Sequence, residues 1–177
     1  MCLDCFRGFK ISMKMEELPT SKFTYVWQFC FFLILNEIWS FLMHALIHQP
    51  KLYWIHKMHH EYAVPIAISG IYVHPVQYVL SSTISTCLGF KILLNFYPVH
   101  AFSIAIWLTF RMVEINESHC GYNWPWSQAA LLPFSIPENY HFFHHRVNAG
   151  NYAGILYFLD SLFGTNAEYW KYEEKLK

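Results

Sequence analysis

Apolar residues along this chain gather into three runs, separated by polar stretches rich in histidine. The first run, residues 23–47, is dense in aromatic and branched side chains such as Trp27, Phe31, Phe32 and Leu33. A helix needs about 20 apolar residues to cross a bilayer, and this run has length to spare. The second run, 76–94, is interrupted by Gln77, several serines and threonines, and Lys91. The third covers 99–115. Residues 95–98, Asn-Phe-Tyr-Pro, read as a tight turn, so the second and third runs form a hairpin. Pro50 ends the first helix, because the residue before a proline avoids the helical region. A short surface helix is expected over 52–60, and another apolar, aromatic helix over 155–163. The pattern predicts an all-α fold of integral membrane helices joined to a helical, histidine-rich domain.

Composition agrees with a chain that is part membrane span and part polar domain. Charged residues make up 14% of the 177 positions, well under the roughly 25% of soluble domains. Aromatic residues reach 20%, the formal net charge is zero, and mean hydropathy is only +0.21. A neutral balance gives no footprint for nucleic acid. Length allows one domain, placed at 23–170, with an N-terminal segment 1–22 and a polar tail 171–177. Segment 1–22 lacks the apolar centre of a secretory signal.

Histidine spacing carries the chemistry. His44 and His48 stand four apart, His56, His59 and His60 form an HxxHH cluster, and His141, His144 and His145 form a second. Residues three and four apart share one face of a helix. His74 and His119 stand between the clusters. Neutral imidazole is the commonest protein metal ligand. A structural zinc ion closes with about four ligands, so this supply suits two adjacent metals, each with a vacant position. All-nitrogen ligation differs from the two-histidine, one-carboxylate iron triad, and the residues alone leave iron, zinc and manganese open. The five cysteines include one CxxC, Cys2 and Cys5, without a second pair to complete a thiolate site. All five are expected to be free thiols.

Chain order places the clusters. His44 and His48 lie at the exit of the first span, and the hairpin leaves and returns before His119 and His141–His145. The clusters therefore share one side of the membrane, and 155–163 is positioned to cover the metal site or the substrate entry. His100, beside the hairpin turn, lies at the opposite face and is excluded as a ligand. Polar residues inside the spans are functional candidates. Glu37 precedes His44 by two helical turns on the same face, where it can orient a ligand imidazole or bond another helix. Arg111 and Glu114 form an i,i+3 pair that reads as an ion pair.

The chain resembles the fatty acid hydroxylase / sterol desaturase superfamily, and within it most closely the C4-methylsterol monooxygenases. The shared features are Asn36-Glu37, the three histidine clusters, His60–Pro65, His74-Pro75 and Arg111–Glu114. They continue through His119-Cys-Gly-Tyr-Asn-Trp-Pro-Trp126, His144–Tyr152 and Asp160–Thr165. The resemblance implies a multi-pass enzyme of the endoplasmic-reticulum membrane with its metal site facing the cytosol. It implies two iron ions held by His44, His48, His56, His59, His60, His74, His119, His141, His144 and His145. Glu37, Asn123 and Asn148 are then expected in supporting positions, with Asn123 holding a water or a neighbouring side chain. Implied too are O2 as co-substrate and electrons from NAD(P)H through cytochrome b5 or a reductase. The substrate would be a lipid, foremost a C4-methyl sterol, hydroxylated at an unactivated C–H bond. The alternatives are a fatty-acyl or sphingolipid hydroxylase, and an inactive lipid-binding homologue.

The chain departs from the pattern at Ala45, where relatives carry arginine, and at Gly154, where serine is common. The resemblance also implies a longer N-terminal part with another span. The basic residues Arg7, Lys10, Lys14 and Lys22 favour the cytosol, whereas three spans would leave them in the lumen. An additional upstream apolar stretch of about 20 residues would remove the conflict.

Overall fold

The computed structural model describes residues 13–14, 21–122, 124–127 and 131–177. Asn123 and most of segment 1–22 lie outside the described residues.

Helix α1 (Lys22–Ile47) starts where the Ser21 hydroxyl accepts the Phe23 N–H at 3.2 Å, satisfying one of the free donors of a helix start. It ends at His48, two residues before Pro50. The helix expected over 52–60 is instead split into α2 (Tyr53–His56) and a 3-10 turn (His59–Glu61). There the Glu61 N–H bonds the Met58 carbonyl, three residues back, and the coil tightens. A second 3-10 segment (Ala67–Ile71) leads to α3 (Pro75–Gln77), a π-helical stretch (Tyr78–Thr83) and α4 (Ile84–Leu93). These last three pieces occupy the second apolar run.

Two short strands follow the fold's far end. β1 (Met13–Lys14) and β2 (Val99–His100) pair in parallel, with Met13 opposite Val99. Helix α5 (Ala101–Cys120) then returns along the bundle, capped by His100, whose Nδ1 accepts the Phe102 N–H at 3.0 Å. Helices α6 (Glu138–Val147), α7 (Phe158–Phe163) and α8 (Ala167–Lys175) complete the chain. The expected helix over 155–163 starts late. Residues 155–157 stay outside the helix, because Ile136 N–H bonds the Ile155 carbonyl at 2.8 Å and Tyr157 N–H bonds the Phe134 carbonyl at 3.1 Å. Helix α8 gives the polar C-terminus an order its composition does not announce, by burying Tyr169 against Tyr140 and Phe143.

Helices α1, α4 and α5 share a core of Phe32, Leu33, Leu93, Ile104, Trp107 and Ile155. Trp39 donates its indole N–H to the Leu80 carbonyl at 2.7 Å, and Phe32 lies beside Gly89. Those contacts run in opposite order along the chain, so α1 is antiparallel to the continuous π-helical stretch and α4. Phe29 and Phe32 pack on Trp107, whose N–H reaches the Thr86 carbonyl at 2.8 Å. At Gly89 a Cβ would fall 2.7 Å from the Phe32 Cα. Gly89→Ala is expected to destabilise the bundle by about 1–3 kcal/mol, the usual cost of overpacking. A thermal unfolding series in detergent checks this, and an unchanged midpoint would show that the helices can separate freely.

By length and composition, α1 is the single helix among the described residues able to cross a membrane. Helix α5 has 20 residues but carries Arg111, Glu114 and Glu117, and α4 has 10.

Candidate metal centre

Histidines from α1, α2, the 3-10 turn, α5 and α6 converge at one end of the bundle. His44, His48, His56, His60 and His144 form one group, and His59, His119, His141 and His145 a second. Within each group one ring nitrogen per residue lies within 4.8 Å of all the others. The HxxHH clusters do not serve as units. His56 and His60 join the first group while His59 joins the second, and His144 parts from His141 and His145 in the same way. Neighbours on one helical face thus straddle two adjacent sites.

Hydrogen bonds fix which nitrogen five of the rings offer. His44 Nδ1 donates to the Tyr152 carbonyl at 2.9 Å, and His56 Nδ1 to the Gln77 side-chain oxygen at 2.9 Å. His119 donates to the Ile115 carbonyl at 2.8 Å, His144 to Gly150 at 2.6 Å and His145 to Tyr62 at 3.0 Å. A carbonyl oxygen only accepts, so these rings carry their proton on Nδ1 and keep a lone pair on Nε2. Burial is the main force keeping the rings neutral, and neighbouring imidazoles add to it. His59 is held at about 4, His60 at about 2 and His145 at about 3. The same causes lower His141 and His144 well below the ordinary imidazole value.

These lone pairs face one another. Nε2 of His44 lies 3.1 Å from Nε2 of His56, yet neither ring can donate there. His60 and His144 stand 3.0 and 3.1 Å from partners in the same group, and His141 lies 3.0 Å from His119 in the other. His145 Nε2 is buried with no hydrogen-bond partner. Facing lone pairs repel unless a cation lies between them. Two nitrogens about 2.1 Å from one metal ion stand about 3.0–3.4 Å apart at octahedral to tetrahedral angles, so the donor set fits a metal in each group.

The remaining predicted residues take other places. His74 joins neither group. Its Nδ1 accepts the Val76 N–H at 3.2 Å, capping α3, and its ring packs on Trp54. His100 also belongs to neither. Glu37 bonds backbone rather than an imidazole. Its fully buried carboxylate accepts the N–H groups of Gly154 and Ile155, each at 3.0 Å, just past the Tyr152 carbonyl that holds His44. Asn148 ends α6 with a left-handed φ of 56° and donates to the Tyr53 hydroxyl at 2.8 Å. The Tyr53 ring lies 5.9 Å from that of His48. Arg111 and Glu114 form a buried ion pair. Cys30, Cys87 and Cys120 are free thiols, as expected.

Two supports were not singled out from the sequence. Gln77 orients His56, and its signal was a lone amide in an apolar run. Asp160 is fully buried and organises the loop after α6. It accepts the N–H groups of Tyr152 and Ala153 at 2.9 and 2.8 Å, the Tyr140 hydroxyl at 2.8 Å and the Thr165 hydroxyl. Gly150, with a φ of 67°, sits where a Cβ would meet the Thr165 carbonyl at 2.3 Å. A pocket of about 110 Å³ adjoins both groups. Ile47, Val73 and Ile115 give it apolar walls, while Ser81 and Ser82 of the π-helical stretch, with Arg111, give it polar ones.

Comparison with known proteins points the same way. The chain is 33% identical over 145 residues to methylsterol monooxygenase 1 of Rattus norvegicus, covering 81% of this chain and 48% of that protein. It is 33% identical over 171 residues to very-long-chain aldehyde decarbonylase GL1-8 of Oryza sativa subsp. indica, covering 94% and 62%. It is 27% identical over 168 residues to C-4 methylsterol oxidase erg25 of Schizosaccharomyces pombe, covering 94% and 55%. The chain spans about half to three fifths of the length of these relatives. No solved structure matches it. The fatty acid hydroxylase family model matches residues 29–165, a stretch that takes in every histidine of both groups. With most of its length inside that match, and its clustered imidazoles at the convergence of the helices, this chain belongs to the fatty acid hydroxylase family.

Proposed function

We propose that this protein is a membrane-bound di-iron oxygenase that hydroxylates an unactivated C–H bond of a lipid. The observation that carries the reading is the pair of adjacent groups of neutral, inward-facing imidazoles. His44, His48, His56, His60 and His144 would hold one ion, and His59, His119, His141 and His145 the other. Bound iron supplies the activation of O2 and the oxidation of the C–H bond. The protein's own part is positional. The carbonyls of Tyr152, Ile115, Gly150 and Tyr62, with Gln77, fix the tautomer and direction of five rings. The apolar pocket wall keeps water from the reacting carbon.

The favoured substrate is a C4-methyl sterol, supported by the methylsterol relatives. A second reading, a long-chain aldehyde, has support from the aldehyde decarbonylase relatives at equal identity. We place the enzyme in the endoplasmic-reticulum membrane as a multi-pass protein with its metal centre toward the cytosol. O2 is the co-substrate, and electrons come from NAD(P)H through cytochrome b5 or a reductase.

Protein expressed with iron and without added zinc is expected to hold two iron atoms per chain by elemental analysis. One tightly held zinc and no iron would overturn the di-iron reading. Expression in cells lacking C4-methyl sterol oxidation, followed by lipid analysis, then separates the substrates. Disappearance of the accumulated methyl sterol supports the first, and alkane formed from a supplied long-chain aldehyde supports the second.

A further inference from the structure

Between the His56–His60 cluster and His74, segment 62–73 carries no charged residue. It is a compact loop closed at its base. Tyr62 and Tyr72 meet edge to face with ring centroids 5.4 Å apart, and the Tyr72 hydroxyl donates to Glu61 at 3.1 Å. Compact surface loops with adjoining ends are frequently functional. The loop is rooted on the metal centre, since the Tyr62 carbonyl receives His145. Inside, Ser69 is fully buried and bonds the Ile66 backbone at both N–H and carbonyl. Gly70 rests on α5, where a Cβ would lie 2.8 Å from Ile115 and 3.0 Å from His119. Gly70 and Val73 line the pocket.

The outer side is unlike an ordinary protein surface. Val64 is 69% exposed, Ile66 51%, Ile68 63% and Ile71 53%. An ordered, charge-free loop with four half-exposed or more exposed branched side chains marks an interaction site. Its surroundings say what covers it. Met112 and Val113, one turn from the Ile115 on which Gly70 rests, are exposed on α5, and the stacked Trp124 and Trp126 follow that helix. Exposed tryptophans beside apolar helix faces are typical of the membrane–water boundary. An irregular backbone is not tolerated against lipid deep in the hydrocarbon, which sets the depth at the boundary between headgroups and acyl chains.

We propose that segment 62–73 is embedded in the bilayer at that boundary and forms the lipid-facing wall of the pocket. Its inner side then meets the metal centre and its outer side meets acyl chains, so a lipid substrate reaches the pocket sideways from the leaflet. The inference rests on the reading of this chain as a membrane enzyme. Its test needs no turnover. Ile68→Cys, in a background with the native cysteines replaced by serine, is spin-labelled and reconstituted in phosphatidylcholine vesicles. Relaxation of the label by O2 is expected to exceed relaxation by a water-soluble nickel chelate several-fold. Nickel relaxation dominating would overturn the proposal, and so would a label shielded from both reagents, which would mean that protein covers the loop. Should the cysteine-free background fail to fold, a benzophenone side chain at position 68 in the otherwise unaltered protein gives the same answer. Phospholipid adducts support embedding, and their absence sinks it. Iron content measured on the same vesicles keeps the two readings apart, because an embedded loop on protein without iron leaves this inference standing while the di-iron reading fails.

Discussion

His144→Ala is expected to empty the first histidine group and lower turnover by more than about 100-fold. Loss of a partner that merely orients a ligand already costs about 10–100-fold in affinity or activity, and His144 is placed as a ligand itself. It is fully buried, its Nδ1 is held by Gly150, and its Nε2 lies 3.2 Å from His48 and 3.1 Å from His60. His59→Ala is expected to do the same to the second group. His100→Ala is the control, since His100 caps the opposite end of α5 and belongs to neither group. Iron per chain and turnover, measured on all three variants at matched expression, check the assignment. A His144→Ala protein with full iron and activity would remove His144 from the centre. Iron loss in His100→Ala would show that the two ends of the bundle are coupled in a way this assignment does not contain.

Asp160→Ala is expected to cost about 3–5 kcal/mol, the usual scale for removing one side of a buried charged network. Two backbone N–H groups and two hydroxyls converge on this carboxylate. Orphaned in a closed interior, each would pay its own desolvation cost. The loss would spread to the metal centre, because the Tyr152 N–H is held by Asp160 while the Tyr152 carbonyl holds His44. Asp160→Asn retains the shape but can accept at one oxygen only, so a smaller loss is expected. Thermal inactivation in detergent, compared across the wild type and both variants, measures the effect. Equal midpoints for all three would show that the loop after α6 is held by other contacts.

Much of the centre was legible before folding. Spacings of three and four announced shared helical faces, and His44 with His48 and His141 with His145 indeed sit on one turn-to-turn face each. Pro50 marked the end of α1. The turn beside His100 separated it from the other histidines, because a hairpin returns the chain to the side it left. What spacing could not supply was the partition. Residues i+3 and i+4 fall on opposite sides of i, about 100° from each other around the axis, which keeps both on one broad face but aims His144 and His145 at different sites once two sites lie side by side. Period alone does not contain that second centre.

His74, Gln77 and Asp160 show the other limit. A histidine before a proline can ligate a metal or cap a helix, and the α3 backbone placed its Nδ1 over the Val76 N–H. A glutamine in an apolar run looks like a flaw until His56 arrives from α2, 21 residues away in the chain. Glu37 was legible as a buried acid that must have partners, yet those partners, the Gly154 and Ile155 N–H groups, lie 117 and 118 residues along the chain. The sequence by itself determined the helical period, the apolar runs, the clustering of the candidate ligands and the chemistry they suit. All of these depend on residue type and on separations within one turn of helix. The division into two groups, the choice of ring nitrogen and the late start of α7 were decided by tertiary structure, because each depends on which distant backbone group reaches a buried donor or acceptor first.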